Sequence, residues 1–286
     1  MHARPLQSLL LYVVGIFATV MALFPPVWAT ISSLTPDNRI GGELDVGAWS
    51  LAHYNDVMSE QDFWASLLNS AIVSVGATAG AIFLGILAAY GLTRFRVRLR
   101  RLSFAILAIR MVPGIVLVLP FYLLYRDVGL LDTLFGLGVT YLTFALPFAI
   151  WMISGFFESI PFEVEEAAAL DGASNWMILW RILVPIAAPA IMTTAVLTFI
   201  FCWNDFLFAL ILTSQKALTF LPLLLRYVLP QGPLYGQIFA GSTIFLLPPL
   251  IGLVLVRRHL STAFGLGTVK WSRAQPARST ERNNHD

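Results

Sequence analysis

The sequence predicts an all-α, polytopic membrane protein with six membrane-spanning helices. Three observations carry that prediction. The 286-residue chain is 58% hydrophobic and only 12% charged, with a mean hydropathy of +0.77, whereas soluble domains are usually about a quarter charged. Its apolar residues fall into six long runs. Its arginines gather at the ends of those runs on what would be one side of a bilayer. A soluble core could not bury this apolar content without leaving a large apolar surface.

The first run, 6–34, follows a short start containing Arg4. It is long for a signal sequence, and no clear small-x-small cleavage site closes it, so it reads as an uncleaved anchor. Pro25 and Pro26 predict a break near its outer end. The second run, 66–92, is rich in Gly and Ala, and Gly76, Gly80 and the neighbouring alanines make one small-residue packing face at four-residue spacing. The third, 102–125, carries Arg110, Pro113, Gly114 and Pro120. The charge must snorkel, pair or face water, and the prolines predict a kink. The fourth, 134–157, has Pro147 inside. The fifth covers 186–212, and the sixth, 238–256, contains Pro248 and Pro249. Each comes near the roughly 20 residues that cross the hydrocarbon. The expected organisation is an N-terminal span (1–34), an outer loop (35–65), a core (66–256) with a helix at about 162–173, and a C-terminal tail (257–286).

Orientation follows from the short flanks. Arg94, Arg96, Arg98, Arg100 and Arg101 mark a cytoplasmic loop, as do Arg257 and Arg258 after the sixth run. Both termini are then cytoplasmic. The segment 35–63, with Asp37, Glu43, Asp45, Asp56, Glu60 and Asp62, faces outward and holds a short helix around 51–58. Formal net charge is only +2, and this charge pattern is a topology signal rather than a nucleic-acid signal. The lone Cys202 excludes an internal disulfide, and four scattered histidines form no metal-ligand cluster.

One cytoplasmic loop is acidic against this trend. Residues 158–185 carry Glu158, Glu163, Glu165, Glu166 and Asp171 against Arg181. Pro161 suits a helix start, the glutamates suit its first turn, Ala167 to Leu170 favour helix, and Gly172 suits a left-handed stop. A short helix outside the lipid is predicted. Its alanines allow close approach and its acids can meet basic residues, which suits docking. An ordinary surface helix between spans fits the same residues.

Glu166-Ala167-Ala168, then Asp171-Gly172-Ala173, Ile182, Pro185 and Pro189, resembles the EAA signature of permease subunits in binding-protein-dependent ATP-binding-cassette importers. Trp203-Asn204-Asp205-Phe206, Tyr235-Gly236-Gln237 and the ending Gly267-Thr268-Val269-Lys270 are similar to the maltose-type sugar permeases, on the side of the smaller six-span partner. The resemblance covers about residues 10–270 and implies the type I importer permease fold. It implies coupling to a cytoplasmic ATPase dimer through Glu163, Glu166, Ala167, Ala168, Asp171 and Gly172. It also implies a second permease subunit, an extracytoplasmic solute-binding protein, and a sugar or polyol as solute. ATP and Mg would be bound by the ATPase. This chain would carry no cofactor and no catalytic residue, and it holds no Gly-x-x-x-x-Gly-Lys-Ser/Thr phosphate loop. Gly267 and Lys270 would approach the ATPase, although Thr268 and Trp271 depart from the usual Ala and Gly.

Trp203, Asn204, Asp205 and Phe206 are the candidate translocation-path residues. An aspartate and an asparagine in hydrocarbon must face protein or water, and aromatic stacking with polar hydrogen bonds suits a sugar. Capping or bracing of a neighbouring helix fits them equally. A stand-alone ion-coupled secondary transporter is the alternative function, but it gives no account of the Glu166–Pro189 pattern.

Overall fold

The computed structural model describes residues 5–40, 49–94, 106, 108 and 112–268. Glu43, Asp45, Arg96, Arg98, Arg100, Arg101, Arg110 and Lys270 lie outside them. The helices are α1 (Pro5–Leu34), α2 (Ala52–Met58), α3 (Phe63–Arg94), α4 (Gly114–Val128), α5 (Leu134–Phe157), α6 (Glu163–Leu170), α7 (Asn175–Ile178), α8 (Val184–Trp203), α9 (Leu207–Leu212), α10 (Phe220–Leu223) and α11 (Tyr235–Thr268). A π-helical turn, Leu179–Leu183, joins α7 to α8. A two-residue hairpin pairs Val228–Leu229 with Gly232–Pro233.

Among the described residues five helical stretches, not six, are long and apolar enough to cross a membrane: Leu9–Leu34, Phe63–Arg94, Leu134–Phe157, Asn175–Trp203 and Tyr235–Arg257. The third run is not one described helix. Pro113 sits extended at the start of α4 (φ −58°, ψ 127°), and only Gly114–Val128 is a described helix of any length. Proline lacks the N–H that would continue a helix through it, but it is tolerated at a helix start. The fifth run also differs. Its helical stretch begins earlier, at Asn175, and stops at Trp203 before resuming as α9. The expected break at Pro25 and Pro26 is absent, since α1 is helical through both. Each proline removes one backbone donor and leaves the rest of the ladder in place. α11 runs on to Thr268, past Val256, so Gly267 is helical.

The chain divides into two compact units. The first comprises Met1–Ala77, Val112–Thr143 and Ile200–Ile251. Phe63 meets Phe220 edge-on at 5.3 Å, and Phe220, Phe245 and Trp203 stack in series, with centroids 5.4 and 4.7 Å apart. The buried His53 ring bonds the Thr35 carbonyl at 3.1 Å and fills the space beside Gly236, where an added Cβ would come within 2.4 Å of it. In the Tyr235-Gly236-Gln237 motif the glycine thus permits a close approach of the His53 ring. Gly236 N–H donates to Asp37 and the Gln237 amide to Asp56.

The second unit comprises Thr78–Met111, Phe144–Phe199 and Gly252–Asp286. Its core is Ile86, Ala89, Ile153, Phe157, Ile178, Leu179, Leu183 and Ala187. Gly85 meets Ala149, with a hypothetical Cβ only 3.1 Å from the Ala149 Cβ. Within the expected small-residue face of α3 the alanines are the members that pack. Ala77, Ala81 and Ala89 are buried, at four-residue spacing with Gly85, while a Cβ on Gly76 would meet open space.

Asp132 holds a loop of the first unit. It has φ +53°, a conformation that Asp tolerates better than most residues. Its carboxylate accepts from the backbone N–H groups of Ser214, Gln215, Lys216 and Ala217 at 2.8–3.2 Å. Partial burial alone would raise its pKa, but the four donors outweigh burial and hold it well below the usual carboxylate range. Asp132→Ala should lower stability by about 1–2 kcal/mol after allowance for solvent screening, read as an earlier thermal transition of the purified complex. A depressed folded-state pKa contributes stability above the unfolded value, about 3.9. The wild-type advantage should therefore fade as pH falls through the folded-state value, and the variant should lack that dependence.

Candidate functional site

The loop between α5 and α8 is built from local signals. α6 starts after Phe162, with Glu163, Glu165 and Glu166 in its first turn, where the helix dipole favours negative charge. It stops in a left-handed turn at Gly172, φ +84°. Ala173 N–H bonds the Ala168 carbonyl and Gly172 N–H the Ala169 carbonyl, both at 3.0 Å. This paired closure satisfies carbonyls that the helix end would otherwise orphan. Ser174 then caps α7 by accepting from Met177 N–H at 3.3 Å. The π turn Leu179–Leu183 ends two residues before Pro185. A wider turn is one way for a helix to accommodate the donor that proline lacks.

The site residues divide by exposure. Glu163, Glu166, Ala167, Asp171 and Gly172 are exposed and Ala168 is half-buried against the second unit's core. Leu170 is 89% exposed, and Phe162 and Trp176 are exposed as well. The result is a small acidic helix with apolar side chains at its borders. Glu165 alone turns inward. Its side chain is 7% exposed and lies 2.5 Å from the guanidinium of Arg94, itself 11% exposed. Burial pushes the Glu165 carboxyl up, and the Arg94 charge opposes that shift. Arg94 also donates to the Phe157 carbonyl at 3.0 Å and lies 6.0 Å from the centroid of the Phe162 ring. A cavity of about 190 Å³ opens beside this pair, lined by Tyr90, Phe162, Glu166, Ala169, Asn175 and Ile178 with the two charges.

In the sequence Arg94 stands as one of five topology arginines and Glu165 as one of three first-turn acids. The available signal was helical phase. Glu165 is one residue off Glu166, so α6 cannot present both on one face.

The structure brings Trp203, Asn204, Asp205 and Phe206 together where α8 stops. Trp203 is buried and donates from Nε1 to the Phe245 carbonyl at 3.0 Å. One Asp205 oxygen accepts from Phe208 N–H at 3.1 Å and Ala209 N–H at 3.4 Å, capping α9. Tyr141 donates to the Asp205 carbonyl at 3.3 Å. Asn204 and Phe206 are exposed. Behind them lies a cavity of about 10 Å³ lined by Ser70, Ser74, Tyr141, Cys202, Asp205 and Thr219 among others, the size of one water. Thr219 Oγ1 is buried without a hydrogen-bond partner, which such a water would satisfy. Among the described residues no group of three or more His, Cys, Asp or Glu is placed to hold a metal ion.

Long apolar helices, polar breaks repaired from within and a capped loop helix between them define a multi-pass membrane protein. The family described as binding-protein-dependent transport system inner membrane component matches residues 81–263, and the chain belongs to that family. It is a permease component of an ATP-binding-cassette transporter, not an enzyme. The trehalose transport system permease protein SugB of Mycobacterium tuberculosis is 35% identical over 254 residues, covering 87% of this chain and 93% of that protein. The trehalose/maltose transport system permease protein MalG of Thermococcus litoralis is 30% identical over 277 residues, covering 94% and 99%. A solved bacterial ABC transporter involved in the import of the acidic polysaccharide alginate contains a chain of similar fold. It is 25% identical with a TM-score of 0.70, covering 90% of this chain and 98% of that one.

Two substitutions test the local geometry. Gly172→Val forces a β-branched side chain into a left-handed conformation and should cost about 1–2 kcal/mol. Faster hydrogen exchange over 163–173 than in the rest of the second unit would report it. Asp205→Asn keeps a capping oxygen, whereas Asp205→Ala removes it at a cost of about 1 kcal/mol. The alanine variant should melt earlier in detergent while the asparagine variant stays near wild type. Equal destabilisation by both would show that the charge, not the cap, is what matters.

Proposed function

We propose that this chain is the smaller, maltose-type permease subunit of an importer for a sugar or polyol. In this reading it forms half of a translocation path with a second permease subunit. A solute-binding protein delivers solute at the outer face, and a dimer of ATPase subunits binds ATP and Mg on the other side. The names of SugB and MalG, for trehalose and trehalose/maltose transport, support a carbohydrate. In this reading the third apolar run, 102–125, is the sixth span, and the arginines near α3 and α11 support a cytoplasmic side for both termini.

One observation carries the coupling reading. α6 is capped at its end and tied in through Glu165, yet it leaves Glu163, Glu166, Ala167 and Asp171 exposed. This helix is an acidic, low-bulk ridge that a basic cleft on an ATPase can enclose. Gly172 closes it, and Ala168 seats it. Gly267 and Lys270 extend the same contact at the chain end. Trp203, Asn204, Asp205 and Phe206 mark the path, with Asn204 and Phe206 the members that face outward from the packed core.

Charge reversal tests this. Glu166→Lys should reduce co-purifying ATPase about ten-fold or more and abolish uptake while membrane insertion is unchanged. Undiminished ATPase association would overturn the docking role. A thermal-shift screen of sugars and polyols against the cognate binding protein would identify the solute, and a response only to charged or peptide ligands would overturn the carbohydrate reading.

A further inference from the structure

We propose that Arg94 and Glu165 form a strut that makes α6 and the end of α3 a single rigid lever, so that a push on α6 is delivered to a membrane-spanning helix. This rests on the reading of α6 as the ATPase contact.

α6 has eight residues, too few to hold a helix in water without tertiary support. Apolar contacts of Ala168 and Ala173 attach it to the second unit's core, but such contacts are non-directional. The charged pair is directional. Arg94 is the last residue of α3. One of its nitrogens, Nη2, reaches both the Glu165 carboxylate and the Phe157 carbonyl at the end of α5. Phe162, the residue preceding α6, lies under the guanidinium. One planar, always charged group thus ties three helix ends together.

Stability alone does not explain this arrangement. Burying two charges incurs a desolvation cost that well-packed apolar side chains avoid, and the best-attested use of such a pair is to fix one geometry among several. Here the fixed quantity is the orientation of α6 on α3. The two other first-turn acids remain free for a partner, so anchoring and docking are divided between Glu165 and Glu166.

The test uses the full complex in proteoliposomes and reads solute transported per ATP hydrolysed. Glu165→Gln and Arg94→Met should each lower that ratio about five-fold or more while ATPase co-purification stays at wild-type yield. Arg94→Lys, which keeps charge but not the planar fork, should recover part of the ratio. A wild-type ratio in Glu165→Gln overturns the strut. If these variants fail to assemble, the otherwise unchanged protein decides. Spin labels at Leu84→Cys on α3 and Leu170→Cys on α6 should keep one separation in nucleotide-free and ATP-bound states, and a separation that changes overturns the proposal. Failure of the underlying reading is seen separately. An Ala167→Cys cross-link to the ATPase that never forms removes the docking role, whereas a cross-link that forms beside a wild-type ratio in Glu165→Gln removes the strut alone.

Discussion

Hydrocarbon offers no hydrogen bonds, so each backbone N–H and C=O within it must find a partner inside the protein. The first unit meets that constraint at its helix break, and closes its solvent-facing loop in the same way. Its backbone leaves regular helix at Asn204–Phe206 and in the segment following α9, and at each place a side chain repairs the loss. Asp205 receives the first free N–H groups of α9. Asp132 receives four consecutive N–H groups of the next loop. Asn69 donates to the Leu218 carbonyl, and Ser70 accepts from Phe220 N–H. Two of these residues, Asn69 and Ser70, stand on α3. One regular helix therefore supplies the partners that an irregular segment lacks.

The second unit answers a different demand. There the irregular segment is the loop holding α6, and its backbone is closed locally by Gly172 and Ser174. What remains to be specified is direction, because alanine contacts alone would allow a short helix to rock. The Arg94–Glu165 pair supplies direction at a desolvation cost visible in the upward push on the Glu165 carboxyl. A cost retained in a loop of only two helical turns points to geometry as the property being held.

The all-α class, five of the long helices and the short acidic helix were legible because their signals are local: apolar run length, first-turn acids, and a glycine where φ must be positive. Gly172 and the 52–58 helix were read from such signals. What was not legible depends on distant pairing. Asp132 meets residues beyond position 213, and nothing in the 126–133 loop announces them. Arg94 and Glu165 are 71 positions apart in the numbering, and each sat in a cluster of like residues that suggested a collective role. The small-residue face of α3 is legible only in part for a related reason. The predicted face holds Gly76 and Gly80 with their neighbouring alanines, and the buried row runs through Ala77, Ala81, Gly85 and Ala89. Alanine and glycine both permit close approach, so composition alone could not choose between adjacent rows.

The Trp203–Phe206 segment shows how chemistry suited to a ligand can be engaged elsewhere. An indole, an amide and a carboxylate suit a sugar in composition. Yet the Trp203 N–H bonds the Phe245 carbonyl, and an Asp205 oxygen caps α9. Removing either group to bind solute would orphan a buried backbone atom at a cost comparable to the interaction gained. Asn204 is different. Its amide nitrogen bonds its own helix at Ile200, but its side chain is exposed, and the Phe206 ring beside it is 38% exposed. On the proposed path reading, recognition within this segment falls to one amide and one aromatic face, a combination that suits uncharged hydroxylated solutes better than ions. The neighbouring aspartate keeps the break in shape.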